Sequence, residues 1–382
     1  MNNMYIERSL ELKYVLKHKS CFLFGPRQTG KTWLIKNKLA NYKYFNLLNT
    51  KTYTQFAYSP SILQELISDK DKVVIIDEIQ RLPILLNEVQ LLIDEKDIHF
   101  LLTGSSARKI RRKGINLLGG RARIRNLHPL IFSELSDKFN LNRALNIGLL
   151  PSIYFSDEPK EDLESYIGTY LQEEIAAEAL VRNIPAFSRF LTIAALSNSQ
   201  IINYSNIAND AQVPGSTIQE YFQILRDTLI GSDLPVWKKT IIRKPISTSK
   251  FYFFDIGVAR FLQKRGELSS GTTEYGEAFE TYIHHELTSY LDYSKNGSLS
   301  YWRSTNGQEV DFIINDETAI EVKSKDIITR KDLKGLKALQ EEALLKNYII
   351  VYSGVEERNR SDGINILPLK IFLKKLWNDE FI

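Results

Sequence analysis

The chain has 382 residues, a length that favours two or three domains, because single cores seldom grow beyond about 300 residues. Apolar residues make up 43% of it and charged residues 25%, which is typical of a soluble globular protein. A single cysteine, Cys21, excludes an internal disulfide framework, and no apolar run approaches the length of a membrane helix. We therefore expect a soluble cytoplasmic protein with no membrane partner.

The net charge of +4 is mild and does not by itself indicate a nucleic-acid partner. Its distribution is uneven, because the segment from Ser106 to Arg125 contains eight Arg or Lys residues and no acid. A second acid-free stretch follows later in the chain and contains Lys238, Lys239, Arg243, Lys244 and Lys250. Each stretch is either solvated surface or a contact for an anionic partner.

A phosphate-binding motif stands near the N-terminus. The apolar run Cys21–Phe24 predicts a buried strand, and it leads into a complete GxxxxGK[ST] loop followed by a helical pattern. The loop glycines allow backbone N–H groups to surround phosphates at a helix N-terminus. We expect Lys31 to reach the β and γ phosphates of ATP and Thr32 to hold Mg²⁺. The candidate nucleotide-binding residues of this loop are Gly25, Gln28, Thr29, Gly30, Lys31 and Thr32.

Two further segments provide the remaining parts of an ATP-hydrolysing site. The β-branched run Val73–Ile76 ends in Asp77 and Glu78, where Asp77 is expected to complete the magnesium shell and Glu78 to orient and deprotonate the attacking water. The next predicted strand, 98–102, ends in Thr103 and, after one glycine, Ser105. We expect these two hydroxyls beside the γ phosphate, and ATP and Mg²⁺ as cofactors.

The acidic pair and the polar-ended strand are similar to the AAA+ branch of P-loop ATPases. The segments Leu118–Arg121 and His128–Glu134 make the resemblance more specific. They are similar to a bacterial and archaeal family of AAA+ ATPases that has a restriction-endonuclease-like C-terminal domain, and the resemblance covers nearly the whole chain. The resemblance implies that Arg121 approaches a neighbouring subunit's nucleotide as an arginine finger; the alternative is an ordinary surface arginine. It also implies a homo-oligomer, and assembly only with ATP and assembly without it both stay open.

The middle of the chain predicts helices. Residues 129–185, clearest at Leu163–Ile175, correspond to a helical lid after an AAA+ core. Residues 186–250 predict a helix-turn-helix in which Ser205 caps the first helix, and a basic wing after Trp237. The second helix would bury a stripe formed by Ile218, Tyr221, Phe222, Leu225 and Leu229. Its exposed face has Arg226 as its only basic residue, so DNA binding and a structural or oligomer-forming role both stay open.

The C-terminal part combines a helix, 276–287, with a strand, 299–303, and a predicted hairpin of Glu309–Ile314 and Thr318–Lys325. The helix has an apolar stripe of Phe279, Ile283 and Leu287, and its adjacent His284 and His285 diverge too far to share a metal. Alternation along the hairpin predicts which side chains share a face. Glu309, Asp311 and Ile313 share one face of the first strand, and Glu321 and Lys323 share one face of the second.

This arrangement resembles the PD-(D/E)xK nuclease superfamily. The resemblance implies that Asp311 and Glu321 bind Mg²⁺ or Mn²⁺, that Glu280 adds a ligand or positions a water, and that Lys323 stabilises charge during phosphodiester cleavage. The alternative is an amphipathic hairpin that carries charges on one face and performs no chemistry.

The sequence thus predicts an α/β protein of four domains. They are a P-loop AAA+ parallel-sheet core at 1–128, a helical lid at 129–185, a winged helix-turn-helix at 186–250 and a PD-(D/E)xK nuclease-like domain at 251–382. Two functions remain open. Either an ATPase acts on DNA with a metal-dependent endonuclease module, or ATP gates a DNA- or protein-binding surface and the C-terminal domain is a non-cutting scaffold.

Overall fold

A computed structural model describes residues 6–105, 118–175, 181, 183–294 and 297–381. The chain forms two compact units, one comprising the chain up to Leu130 together with Asp227–Ile230, the other comprising Ile131–Arg226 and the chain from Gly231 onward. Most of the N-terminal basic stretch, residues 106–117, lies outside the described residues. Among the described helices, none combines the length and the apolar character needed to cross a bilayer.

The first unit contains a five-stranded parallel sheet in the order β2-β3-β4-β1-β5. The strands are β1 (Ser20–Phe24), β2 (Lys43–Asn46), β3 (Val73–Asp77), β4 (His99–Gly104) and β5 (Ala122–Asn126). The helices are α1 (Leu12–His18), α2 (Lys31–Lys38), α3 (Thr50–Tyr58), α4 (Ile62–Leu66) and α5 (Leu85–Lys96). The predicted strand–loop–helix around the phosphate-binding motif is therefore confirmed as a local structure.

The sequence explains why β1 and β3 are interior strands of this sheet and not edge strands. Both strands are buried along their whole length, as expected for a parallel sheet that is covered on both faces. Phe22 and Phe24 of β1 pack in one apolar cluster with residues of β3, β4 and α5. Because β4 lies between β1 and β3, the carboxyl ends of all three strands meet at one edge of the sheet.

The second unit begins with short helices. They are α6 (Phe132–Leu135), α7 (Leu141–Ile147), α8 (Pro151–Tyr154), α9 (Pro159–Ser165), a π-helix (Tyr166–Ile175) and α10 (Ile184–Leu196). The predicted helix over Leu163–Ile175 is present, but it begins earlier, at Pro159, and continues from Tyr166 as a π-helix.

Two helices and a small antiparallel sheet follow. They are α11 (Tyr204–Ala211), α12 (Gly215–Asp227) and the sheet β6-β8-β7, formed by β6 (Gln200–Ile201), β7 (Gly231–Leu234) and β8 (Lys250–Phe253). The predicted cap was wrong: the side chain of Asn203, not Ser205, accepts the N–H of Asn206 at the start of α11. Leu229 does not belong to the stripe of α12, because it lies beyond the helix with a φ of 61°.

The stretch that was predicted to form a wing lies along the strand Leu299–Arg303 of the same unit. The N–H of Trp237 donates to Tyr301 O, and the N–H of Ile246 donates to Arg303 O. Three of the five basic residues of this stretch are paired with acids: Lys239 contacts Asp316, Arg243 contacts Glu341 and Glu342, and Lys250 is buried among carboxylates. This stretch therefore offers an anionic partner less free positive charge than its sequence indicates.

A six-stranded mixed sheet, in the order β13-β14-β12-β11-β10-β9, forms the rest of the unit. Its strands are β9 (Leu299–Arg303), β10 (Glu309–Ile314), β11 (Thr318–Lys323), β12 (Asn347–Tyr352), β13 (Arg358–Asn359) and β14 (Ile364–Pro368). The helices are α13 (Ile256–Leu262), α14 (Thr273–Ser294), α15 (Lys334–Gln340) and α16 (Leu369–Trp377). The β10–β11 hairpin is antiparallel as predicted.

Two details of this sheet differ from the predicted pattern. The pairing register of β10 with β9 shifts between Val310 and Ile313, and such a bulge redirects the side chains beyond it. Ile313 consequently packs in the same apolar cluster as Val310 and does not share a face with Asp311. Helix α14 is buried over more than the predicted stripe, since His284 and His285 are both buried and His284 stacks on Tyr252 with ring centroids 3.9 Å apart.

Candidate functional site

The loop between β1 and α2 is shaped by two glycines. A Cβ atom on Gly25 would lie 2.5 Å from the carbonyl oxygen of Leu127, so no larger residue fits there. Gly30 has a φ of 95° and directly precedes the first residue of α2, Lys31. Between them, Gln28 has a φ of 63°, and the buried Thr29 hydroxyl donates to Pro26 O at 2.9 Å. The loop therefore ends at the positive end of a helix dipole, which attracts phosphate.

Lys31 lies folded against this loop. Its ammonium donates to Gly25 O at 2.6 Å and to Pro26 O at 3.0 Å. Burial lowers the pKa of Lys31 to about 8, although the nearby carboxylates of Glu78 and Asp77 act in the opposite direction. A buried cation that is held only by backbone carbonyls can turn toward a phosphate group without breaking an ion pair.

Asp77, at the carboxyl end of β3, connects three elements. Its Oδ1 accepts a hydrogen bond from the Thr103 hydroxyl at the end of β4. Its Oδ2 accepts from Tyr44 of β2 at 2.7 Å and lies 3.5 Å from the Thr32 hydroxyl of α2. Thr32 and Asp77 thus present hard oxygen atoms side by side, the ligands that Mg²⁺ prefers, and these residues fit a magnesium ion.

Glu78 follows with a left-handed backbone, φ 62°, in the turn after β3. Its N–H donates to the Thr103 hydroxyl at 3.3 Å, and its carboxylate accepts a hydrogen bond from the Gln80 amide. Burial raises the pKa of Glu78, and Lys31 partly offsets that effect. The same Gln80 amide lies 3.4 Å from the buried Ser105 hydroxyl, so the structure brings the ends of β3 and β4 together.

Three contributors to this site were not predicted from the sequence. Tyr44 and Gln80 contact the two acids directly, and the buried Arg8 donates to Thr29 O at 2.5 Å and to His128 O at 2.6 Å. Only Gln80 left a signal in the sequence, as a polar residue two positions after Glu78. Arg121, the candidate arginine finger, is bound within its own unit by Asp94, with Nε 2.6 Å from Oδ1.

The second group of predicted residues lies in the C-terminal sheet and α14. We call Glu280, Glu309, Asp311 and Glu321 the acidic cluster. Asp311 and Glu321 lie on adjacent strands, and Asp311 Oδ2 accepts the N–H of Val322 at 2.8 Å. Lys323 Nζ lies 2.5 Å from Glu321 Oε1. Burial and the charge of Asp311 raise the pKa of Glu321, and burial raises that of Glu280.

A lysine that the sequence pattern did not assign to this cluster lies inside it. Lys250 Nζ is 2.6 Å from Glu309 Oε1, 3.1 Å from Glu280 Oε1 and 3.9 Å from Asp311 Oδ1. The Tyr252 hydroxyl donates to the same Glu280 oxygen at 2.6 Å. Burial lowers the pKa of Lys250, but the surrounding carboxylates more than offset it, and the net pKa is well above the ordinary value.

The acidic cluster does not fit a divalent metal ion in this arrangement. Two of its carboxylates are bound to the Lys250 ammonium, and a third is bound to Lys323. Across the described part of the chain, no group of three or more His, Cys, Asp or Glu side chains is arranged to hold a metal. The predicted Mg²⁺ or Mn²⁺ site at Glu280, Asp311 and Glu321 is thus not supported.

Family comparisons divide the chain into three segments. Residues 17–136 match the family described as "AAA domain". Residues 138–269 and 275–372 match two families that are each described as a domain of unknown function, DUF8612 and DUF4143. The AAA segment contains the whole phosphate-binding loop together with Asp77, Glu78 and Thr103.

Individual relatives are distant. Uncharacterised proteins of Mycobacterium bovis and Mycobacterium tuberculosis are each 26% identical over 361 residues, covering 91% of this chain and 79% of theirs. Two solved structures show low similarity. A signal-transduction ATPase with a tetratricopeptide repeat sensor, from Pyrococcus horikoshii, is 15% identical with a TM-score of 0.24, covering 76% of this chain and 47% of its own. The Aeropyrum pernix ORC1 protein in complex with DNA is 14% identical with a TM-score of 0.27, covering 64% of this chain and 86% of its own.

At TM-scores this low, neither structure carries weight for the fold or function of the chain. The family match and the motif geometry are consistent with each other, because the matched segment ends just after the five-stranded parallel sheet. The N-terminal part of this chain is therefore an AAA-type P-loop ATPase domain.

Proposed function

We propose that this protein is an ATP-hydrolysing switch whose C-terminal module binds a partner and does not cut nucleic acid. The observation that carries the ATPase part is the convergence of Lys31, Thr32, Asp77 and Glu78 at one edge of the parallel sheet. The observation that favours a non-cutting module is the Lys250 ammonium among the carboxylates of the acidic cluster.

The nucleotide site works through charge placement. Bound Mg²⁺, held by Thr32 and Asp77, would neutralise charge on the phosphate oxygens. The Lys31 ammonium turns from the carbonyls of Gly25 and Pro26 toward the phosphates, where it stabilises the charge that develops in the transition state. Glu78 orients the attacking water and takes its proton, and Gln80 fixes the direction of the Glu78 carboxylate before ATP arrives.

ATP turnover by a Lys31→Ala variant tests this site. Turnover should fall by at least about 100-fold, since the variant loses the charge that faces the phosphates. Lys36→Ala is the matched control, because Lys36 is an exposed lysine on the same helix, α2. Circular dichroism should show both variants folded. Unchanged turnover in Lys31→Ala would mean that the ATP site lies elsewhere.

DNA is the partner that we propose to test first. The helix pair α11–α12 has the order of a helix-turn-helix, and Lys238 and Lys244 are exposed near it in sequence. Against a strong DNA contact, Arg226, the one basic residue of α12, binds Asp233 through two hydrogen bonds of 2.9 and 3.0 Å. Addition of single-stranded, duplex or branched DNA should stimulate ATP turnover if DNA is the partner, and the salt dependence should follow phosphate contacts.

A metal-dependent nuclease is the second candidate function. The observation in its favour is that Glu280, Asp311, Glu321 and Lys323 belong to one group of charges in the C-terminal sheet and α14. DNA incubated with the protein in Mg²⁺ or Mn²⁺, with and without ATP, should remain intact under our proposal. Cleavage that is lost in a Lys323→Ala variant would instead establish the nuclease.

A further inference from the structure

Lys250 is placed in the acidic cluster by the fold and not by a chance surface contact. It is the first residue of β8, which pairs with β6 and β7, and only 4% of its surface is exposed. Alternation along β8 directs Tyr252 to the same side, where both residues bind Glu280 Oε1. The Lys250 ammonium also lies 5.3 Å from the centre of the Tyr301 ring, within the range of a cation–π contact.

The neighbouring cations almost balance the charges of the acidic cluster. Its four carboxyl groups face the buried ammonium group of Lys250 and the partly buried one of Lys323. Arg303 Nη1 lies 3.3 Å from the second carboxylate oxygen of Glu309, Oε2. Four acids against three bases leave at most one uncompensated negative charge. A divalent ion would give this group a net positive charge and would stand close to both ammonium groups, which is electrostatically unfavourable.

The geometry of the cluster also suits an ammonium group better than a metal ion. The contacts of Lys250 to Glu309 and Glu280, 2.6 and 3.1 Å, are N–H···O distances, whereas Mg²⁺ requires oxygen ligands at about 2.1 Å in a near-octahedral shell. Glu280 and Glu309 would have to release Lys250 before they could approach a metal that closely.

We propose that the Lys250 ammonium is the resident cation of the acidic cluster and excludes divalent metal ions from it. Removal of this single charge should convert the cluster into a binding site for a hard divalent cation such as Mn²⁺. The inference concerns the C-terminal sheet alone and does not depend on ATP hydrolysis.

The first test counts Mn²⁺ ions on the nucleotide-free, full-length protein by electron paramagnetic resonance. Wild type and an Asp311→Asn variant should bind the same number of ions, because the wild-type cluster holds none. The comparison cancels any Mn²⁺ bound at the nucleotide site. An ion that is bound by wild type and lost in Asp311→Asn would overturn the proposal, whatever the behaviour of the lysine variants.

The second test uses Lys250→Met, which keeps the length of the side chain and removes its charge. This variant should bind one more Mn²⁺ than wild type. The affinity of its cluster for Mn²⁺ should be at least tenfold higher than that of the wild-type cluster. A Lys250→Met/Asp311→Asn double variant should lose that ion again. Lys239→Met is the matched control, because Lys239 forms an exposed pair with Asp316, and it should bind Mn²⁺ as wild type does.

Thermal unfolding provides a readout that is independent of ion counting. Without metal, Lys250→Met should unfold at a lower temperature than wild type, because it leaves buried carboxylates unpaired. Millimolar Mn²⁺ should recover most of that loss in the variant and should stabilise wild type no more than it stabilises Asp311→Asn, which shares the nucleotide site. The proposal would be contradicted if Mn²⁺ neither bound to Lys250→Met nor raised its unfolding temperature. This holds both for a folded variant and for one that is unfolded without metal.

Discussion

At the nucleotide site, the Tyr44 hydroxyl binds an oxygen of Asp77 that also faces Thr32. The 2.7 Å hydrogen bond to Oδ2 fixes the carboxylate on one side, while Thr103 fixes Oδ1 on the other. Hydrogen bonds to a charged group contribute about 1.5–3 kcal/mol, enough to determine the rotamer of a buried aspartate. Tyr44 thus positions Asp77, and we expect it to act on magnesium binding through that carboxylate.

A Tyr44→Phe variant should need about three- to tenfold more Mg²⁺ for half-maximal ATP turnover, because Asp77 loses one of its two fixed hydrogen bonds. The maximal rate at saturating Mg²⁺ should change little. Tyr58→Phe is the control, since Tyr58 is 91% exposed on the same unit. A variant with a lowered maximal rate and an unchanged Mg²⁺ requirement would show that Tyr44 does not act through the metal.

Glu286 is a buried carboxyl in the second unit that binds three donors. Its Oε1 accepts the N–H of Phe132 at 2.8 Å and the Tyr282 hydroxyl at 2.9 Å, and its Oε2 accepts from Trp377 at 2.9 Å. Burial raises the pKa of Glu286 to about 7, although these donors act in the opposite direction. The group therefore connects the start of α6 with α14 and α16, and ionisation at this position is unfavourable.

The sign of the pH effect follows from that pKa. The pKa of Glu286 is higher in the folded than in the unfolded chain, so the contribution of the protonated group to stability is lost as pH rises from about 4.5 through about 7. The loss amounts to roughly 3 kcal/mol. Glu286→Gln cannot ionise, but its amide group must face one of three donors, which lowers stability at every pH.

The difference in unfolding temperature between wild type and Glu286→Gln should therefore be largest near pH 5 and should narrow toward pH 8. Thermal scans monitored by circular dichroism across this range measure it. Glu220→Gln, an exposed change on α12, should show no pH-dependent difference from wild type. A gap that is constant or that widens with pH would show that Glu286 is ionised throughout.

The elements that could be predicted from the sequence are those specified by local signals. The phosphate-binding loop joins a buried apolar run to a helix, and β1, α2 and β3 form where that pattern places them. The β10–β11 hairpin also follows from alternation and its short turn. In each case, residues close together in the chain determine the structure.

The features that were missed depend on contacts between distant segments. The bulge between Val310 and Ile313 is a property of the pairing with β9, and no residue type in the run predicts it. In the sequence, Lys250 is one of several charges in a basic stretch. Only in the folded structure does β8 place it against Glu280, which lies 30 positions later in the chain. Arg8 similarly meets His128 across 120 positions. Such tertiary contacts decide which charges are available for function.

The N-terminal segment before α1 makes a direct contribution to the nucleotide site through Arg8. Its guanidinium binds the carbonyls of Thr29 in the phosphate-binding loop and of His128 and Pro129, and the Lys38 ammonium of α2 binds the Arg8 carbonyl at 2.7 Å. The segment therefore holds the loop at the Thr29 carbonyl and is itself held by α2.

An Arg8→Ala variant should bind ATP about tenfold more weakly, because the loop loses the donors that hold the Thr29 carbonyl. Fluorescent-nucleotide titration measures the affinity, and Lys13→Ala, an exposed change on α1, is the control. Arg8→Lys should recover part of the loss, since a lysine can satisfy fewer of the three carbonyls. Equal affinity in Arg8→Ala and wild type would exclude a role for the segment in nucleotide binding.

At the scale of the whole molecule, each of the two units contains its own buried polar site. The first has an AAA-type ATP site, in which the Lys31 ammonium is held by two carbonyls of the phosphate-binding loop. A second positive charge at the γ phosphate would increase the rate of hydrolysis, and Arg121 is the candidate to supply it from a neighbouring copy. Within its own chain, Arg121 is bound by Asp94, so this role requires that the ion pair opens on assembly.

Assembly can be separated from hydrolysis with a Glu78→Gln background, which should retain ATP without turning it over. Light scattering with size-exclusion chromatography should show a larger species with ATP than without it.

In the otherwise unmodified chain, Arg121→Ala should lower ATP turnover at least tenfold and leave ATP affinity unchanged. Asp94→Asn, which removes the competing ion pair, should keep turnover at or above wild type. A strict monomer with ATP in the Glu78→Gln chain would rule out the arginine finger, because no neighbouring copy would be present to provide it.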